Sequence, residues 1–283
     1  SSTDHPAVSV LAKHHELCGG ESIELSINSD GEIDLSFFDS IEKAKKYYFN
    51  YTWVNNETGL VNSLLNLEKI INKKNVYIHV DAVQSIGKLI NWNTIPEGID
   101  FISFSGHKFG ALKGIGFSFI KKSFPFKPLV LGGGQQKGAR SGTENPLAVH
   151  TLRLALEDLQ NDLSIDKTYE LRTRIKEKLI GLLGDQVLVI ETKLLSSNNT
   201  LGIIFKNIKS DLCLIQFDLA GVDVSYGSAC SSGNQTETQS LKGLGLEEYE
   251  EKFRRLSFGP SDYKRHDEII NMLSIVFSKL KKQ

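Results

Sequence analysis

Little in this sequence points to a membrane, a nucleic acid or an oxidising compartment. Its 33 lysines and arginines are offset by 34 aspartates and glutamates, leaving a net charge of −1. No excess of either sign is present to attract nucleic acid or an anionic bilayer. No apolar run approaches the roughly 20 residues needed to span a membrane, and the opening residues carry no signal-peptide pattern. Cysteine is scarce. Cys18, Cys213 and Cys230 are far apart and odd in number, which argues against a disulfide framework and against a Cys-based zinc site. The expectation is a reducing, cytoplasmic setting. An initiator methionine is lacking too: "SSTDHPAVSVLAKHHEL" runs at once from what reads as a strand end into a helix, as expected of a fragment or processed form.

What is there describes an ordinary globular chain of 283 residues, 40% hydrophobic and 24% charged. The first half alternates strand-like and helix-like pieces. "SIELSIN" alternates apolar and polar residues and meets the turn "NSDG"; "DLSFFDSIEKAKKYY" has helical spacing; "FNYTWVNN" reads as a strand. "LVNSLLNLEKIINKKN" is again helical in its periodicity, and "VYIHVDAV" is a short apolar strand ending at Asp81. Such alternation predicts an α/β fold with a mainly parallel sheet covered by helices. After "LGGGQQKGARSGTENP" come two long helical patterns (about 147–163 and 168–183), short strands at 187–190 and 200–205, helical patterns at 210–219 and about 264–281, and between them a loop carrying Cys230. This predicts a large domain over 1–146 and a smaller α+β domain over 147–283.

In parallel sheets ligands gather beyond the carboxyl ends of the strands, where Asn56, Asp81 and Lys108 fall. A carboxylate such as Asp81 at the end of an apolar strand needs a hydrogen-bonding or positive partner. It suits either a helix cap or the protonated nitrogen of a pyridine, the group that makes pyridoxal phosphate an electron sink. Lys108, in "FSGHKFGALKGIG", follows a buried strand and sits among glycines that admit close approach. It suits covalent capture of an aldehyde as readily as a solvated surface charge. Beside it, Ser105 and His107 could donate to a phosphate, or His107 could simply bond its own loop.

"HVDAVQSIGK", "SFSGHKFGALKGIG", "GGGQQKGARSGTEN" and "VSYGSACSSG", in this order, closely resemble the cysteine desulfurase family of class V aminotransferases, within the fold-type I pyridoxal-phosphate enzymes. The resemblance runs from about Asp4 to the final helix. It implies that Lys108 carries the cofactor, Asp81 partners its pyridine nitrogen, Gln84 bonds its phenolic oxygen, and Asn56 contacts that side of the ring. It further implies that His5 stacks on the ring, Ser105 and His107 hold the phosphate, and Thr143 reaches the phosphate of a second subunit in a homodimer. Arg255 would grip the substrate carboxylate. Cys230 would take sulfur from L-cysteine as a persulfide and pass it to an acceptor protein for iron–sulfur cluster assembly or tRNA thiolation, leaving alanine. A selenocysteine lyase or another class V enzyme, or a non-catalytic piece that keeps dimer or partner surfaces, are the alternatives.

Three departures from the family pattern stand out. Members normally have a substantial segment before "TDHPAV", with a Gly-Ala-Thr-Glu-type turn cradling the phosphate at a helix N-terminus, and the expectation is a large domain incomplete at that end. The proline usual after the lysine is missing from "FGALKG". Pro260, in "SFGPSD", stands where an arginine is usual.

Overall fold

The computed structural model describes residues 1–161, 164–226, 239–259 and 262–282. The chain opens with helix α1 (Pro6–Leu17), capped by His5, whose Nδ1 accepts the Ala7 N–H at 3.1 Å. Pro6 fills a first-turn position where no N–H is needed. The sequence then folds into strands β1 (Tyr47–Thr52) and β2 (Leu60–Val61), a short helix α2 (Glu68–Ile71), and strands β3 (Val76–Asp81), β4 (Phe101–Ser105) and β5 (Gly116–Ile120). Four of these form one sheet in the order β1-β3-β4-β5, parallel except for the antiparallel edge strand β5.

Period-2 patterning explains how this sheet divides its faces. Val76, Ile78 and Val80 point into a core with Phe49, Tyr51, Ile102 and Phe104, while Tyr77, His79 and Asp81 point the other way. Burying each large apolar side chain contributes roughly 1.5–3 kcal/mol. On the polar face His79 bridges the three parallel strands. Its Nδ1 donates to Asn50 Oδ1 at 2.6 Å, leaving Nε2, 2.9 Å from Ser103 Oγ, to accept the hydroxyl proton.

Beyond Pro146 two long helices follow, α3 (Pro146–Asn161) and α4 (Ser164–Leu183), and then strands β6 (Val187–Val189), β7 (Leu195–Ser196) and β8 (Thr200–Phe205). Helix α5 (Ser210–Asp218), strand β9 (Ser225–Tyr226), helix α6 (Gln239–Gly243), strand β10 (Phe253–Ser257) and helix α7 (His266–Leu280) complete the elements. The second sheet is antiparallel, in the order β6-β8-β10-β9. β8 is buried on both faces. Leu201, Ile203 and Phe205 pack under α4, α5 and α7, while Ile204 meets Leu60, Ile190, Leu241 and Phe253. Leu60 belongs to the first half of the chain, and β2 also pairs with β7, so the two sheets share a small core.

Two helical expectations fail. Over 34–48 only the turn Ser36–Asp39 is helical, because Phe38 tucks onto Phe49 (ring centroids 4.9 Å apart) and Tyr47 and Tyr48 are drawn into β1. Over 60–75 the backbone of Leu60 and Val61 is taken by β7, leaving a 3₁₀ turn capped by Ser63 and the single turn of α2. "SIELSIN" contributes one bridge, Ile27 to Ile33, across its turn rather than a strand. Cys213 is buried in the second core, where desolvation pushes its thiol up to about 12.

Burial holds His79 down to about 4, against an ordinary value of 6.5. The unfolded chain takes up this proton first, so stability present above pH 6.5 is lost as pH falls toward 4. The loss at the acid end is about 3 kcal/mol, at about 1.4 kcal/mol per unit. Urea denaturation across pH 4–7 will show that slope in the wild type and a flatter one in His79→Asn.

Candidate active site

Parallel pairing brings polar residues to one edge of the first sheet. Asp81 closes β3 directly opposite Thr52 of β1 and Ser103 of β4, and Ser105 closes β4 two residues further on. Asp81 is only partly exposed, and its Oδ1 accepts the Val83 N–H at 3.0 Å, so it caps the turn that follows. Burial pushes its carboxyl above the ordinary value, while Val83 and the nearby His5 oppose that shift and Asp4 adds to it. Thus His5, at the mouth of α1, lies by Asp81. Asp4 is held by Thr52, whose hydroxyl donates to Asp4 Oδ1 at 2.7 Å.

After β4 the chain makes a tight turn, Gly106–Lys108. A Cβ on Gly106 would meet Ala111, the Ile115 carbonyl and Leu152 at 3.0 Å, and one on Gly116 would stand 2.5 Å from the Phe104 carbonyl. These glycines are required by packing of the loop against β4. Lys108 is half-buried, and Lys113 is exposed. Ser105 Oγ and His107 Nδ1 are 2.8 Å apart. Desolvation, then Lys108, Lys113 and Lys88, hold the His107 imidazole below its ordinary value, favouring its neutral form.

A third group comes from the turn "VNNETG". Asn55 is buried and saturated: its Oδ1 accepts from the N–H groups of Glu57 and Thr58 and from the Thr58 hydroxyl, and its Nδ2 donates to the Thr3 carbonyl and to Ser240 Oγ. Its neighbour Asn56 stays partly exposed, and its carbonyl accepts from Arg255 Nη1 at 2.5 Å. Arg255 lies on β10, so this bond joins the second sheet to the site. Glu57, also buried, accepts the Ser240 N–H; burial raises its carboxyl, while Ser240 and Arg255 oppose the shift.

Residues 1–269 match the family model for class-V aminotransferases. The chain belongs to the class-V aminotransferase family. Its relatives within that family include a cysteine desulfurase of Nostoc, 34% identical over 86% of this chain and 61% of that protein. Another, from Sinorhizobium fredii, is 30% identical over the whole of this chain and 73% of its own length. Among solved structures, a NifS-like protein of Rickettsia africae superposes with a TM-score of 0.82 at 26% identity, covering 100% of this chain and 74% of the other. The chain thus spans about three fifths of the first of these relatives.

Of the predicted residues, Asn56, Asp81, Gln84, Ser105, His107 and Lys108 fall on strand ends and turns of the first sheet, His5 caps α1 near Asp81, and Arg255 reaches the Asn56 carbonyl from within β10. Thr143 does not join them. It is exposed, in a loop closed on itself by Ser141 Oγ to the Gly133 carbonyl and Gly142 N–H to Gln135 Oε1. Cys230 and Pro260 lie outside the described residues.

Sequence reasoning missed Lys88. This side chain is buried, donates to Gln84 Oε1, and faces the positive charges of Lys108 and Arg255. Burial, then those two cations, push its ammonium down to about 7. Gln84 and Lys88 are four apart in "QSIGK", but this segment forms a turn and not a helix, so that spacing gave no signal. Asn55 and Glu57 were missed as well, because their roles depend on Ser240, far along the chain.

Asn55→Ala strands several buried partners at once, so the expected cost is about 2–4 kcal/mol. Denaturant midpoints will register it, whereas Asn56→Ala, whose backbone carbonyl is kept, should cost less than 1 kcal/mol.

Proposed function

We propose that this chain carries the catalytic framework of a pyridoxal-phosphate-dependent cysteine desulfurase, converting L-cysteine to L-alanine with the sulfur held as a persulfide on Cys230. One observation carries the reading: in a chain related along its length to cysteine desulfurases, a partly buried carboxylate ends one parallel strand, a lysine follows the next, and an arginine from the second sheet reaches the turn after β1.

The donor set suits the cofactor. Asp81 is a carboxylate whose burial makes a cationic partner favourable, which a pyridinium N–H would supply. Lys108 offers an amine, the Ser105–His107 pair can donate to phosphate, and Gln84 and Asn56 offer amides for the ring's phenolic side. Pyridoxal phosphate, when bound, supplies an aldehyde and an electron-withdrawing ring.

The side chains divide the remaining work. Asp81 keeps a proton on the ring nitrogen. His5 accepts the Ala7 N–H at Nδ1, so its neutral imidazole carries its proton on Nε2, free to stack or donate. Lys108 holds the cofactor and then takes and returns a proton at Nζ. Arg255, steadied by the Asn56 carbonyl and Glu57, presents its planar guanidinium to the substrate carboxylate. The Cys230 thiolate forms an S–S bond to the substrate sulfur as the C–S bond breaks; its electron pair goes to carbon, which gains a proton to become the methyl of alanine. The persulfide then passes to an acceptor protein serving iron–sulfur clusters or tRNA thiolation.

The reading is of a cytoplasmic homodimer divided near Pro146, with Thr143 reaching the neighbouring subunit's phosphate. Its support is an exposed loop flanked by exposed Leu129 and Leu131. Among the described residues no helix is long and apolar enough to cross a membrane.

Protein given pyridoxal phosphate and borohydride should gain the mass of one reduced cofactor on Lys108, and Lys108→Ala should gain none. Cys230→Ala should keep that adduct while losing more than 100-fold of sulfide release from L-cysteine. Sulfide release that survives intact in Cys230→Ala sinks the persulfide step.

A further inference from the structure

Lys88 has a job that its burial makes expensive. An ammonium taken out of water costs several kcal/mol unless it is well paired, and this one has cations for neighbours, Lys108 and Arg255. It donates a hydrogen bond to an amide oxygen, that of Gln84. Methionine would fill the same volume without that cost.

An ammonium only donates, so while Lys88 carries its proton the end of the Gln84 amide that meets it must be the oxygen. A glutamine on a partly exposed turn could otherwise present either its oxygen or its nitrogen to a ligand. With the oxygen held, the Nε2 hydrogens are the end left for a partner. The turn leading from Asp81 to Lys88 is itself braced. Ser85 N–H bonds the Ala82 carbonyl, Lys88 N–H bonds the Ser85 carbonyl, and the Lys88 carbonyl accepts from Asn198. The Lys88 backbone is therefore held at both its N–H and its carbonyl.

We propose that Lys88 is a positioning residue of the cofactor site: by holding the Gln84 carboxamide oxygen it commits that amide to donating toward an anionic ligand oxygen, the phenolic oxygen of pyridoxal phosphate. The inference rests on the proposed function and adds a residue that acts on the cofactor through another.

A double-mutant cycle on cofactor affinity tests it, with the dissociation constant of pyridoxal phosphate read by fluorescence quenching of the full chain. Lys88→Met should weaken binding about 5- to 20-fold in the native background, for the loss of one charge-assisted bond. In a Gln84→Ala background the same change should alter binding less than twofold. Lys88→Arg, which still donates to the oxygen, should restore most of the affinity. Thermal midpoints of the cofactor-free variants, unchanged or raised, will exclude misfolding as the cause. Equal losses in both backgrounds, or no loss in either, overturn the proposal while leaving the proposed function standing. A wild-type chain that takes up no cofactor overturns both.

Discussion

The parallel register of β1, β3 and β4 is the constraint on which the site depends. Because Thr52, Asp81 and Ser103 are direct partners across three strands, the carboxyl ends of those strands finish level, and the polar residues that follow emerge at one edge. A one-residue slip would turn Asp81 toward Phe49 and Ile78 and send Val80 to the polar face. The His79 bridge to Asn50 and Ser103 resists that slip, since its two ring nitrogens each find a partner in this register alone. Keeping the imidazole neutral inside the sheet is part of the same arrangement.

Asn55 plays the corresponding part between the two halves of the chain. It closes the turn after β1, ties it to Thr3, and reaches Ser240 at the start of α6. The next residue along, Asn56, receives Arg255 from β10. A single short turn thus joins the strand that frames the sheet edge, the arginine of the second sheet, and the start of α6. The shared core of Leu60, Ile204, Leu241 and Phe253 seals this junction from water, which strengthens each of its polar bonds.

How much of this could be read from the residues alone follows from which forces are local. β3 and β4 were legible because their alternation is written into consecutive residues, and the helices over 146–161 and 164–183 because their apolar stripes are long. The stretch 34–48 was misread because its helical spacing is short and strand pairing by Tyr47 and Tyr48 outweighs it. Asp81 and Lys108 stood out because each ends an apolar strand with a charge. Lys88 did not, since an isolated lysine after a glycine reads as solvated until the backbone turns it inward. Glu57 and Ser240 are separated by 183 residues, and no local pattern announces their contact.

The buried cations divide into two kinds, and the division bears on function. Arg254 donates to the carbonyls of Phe253 and Ser210, and Arg172 donates to the Thr200 carbonyl at 2.6 Å and pairs with Glu191. Those arginines are held by hydrogen bonds within the second half of the chain. Lys88, by contrast, is buried with Lys108 and Arg255 close enough to oppose its charge, while Glu57 interacts with Arg255. Removing the Lys88 charge would relieve that cost, since a buried ammonium beside other cations is penalised by both desolvation and repulsion. An anion bound nearby would offset the cost of the Lys88 ammonium, and the carboxylate and phosphate of the proposed ligands are two such anions. A buried, strongly perturbed lysine beside the proposed cofactor residues is the pattern that functional sites commonly show, and it accords with the proposed anionic ligands.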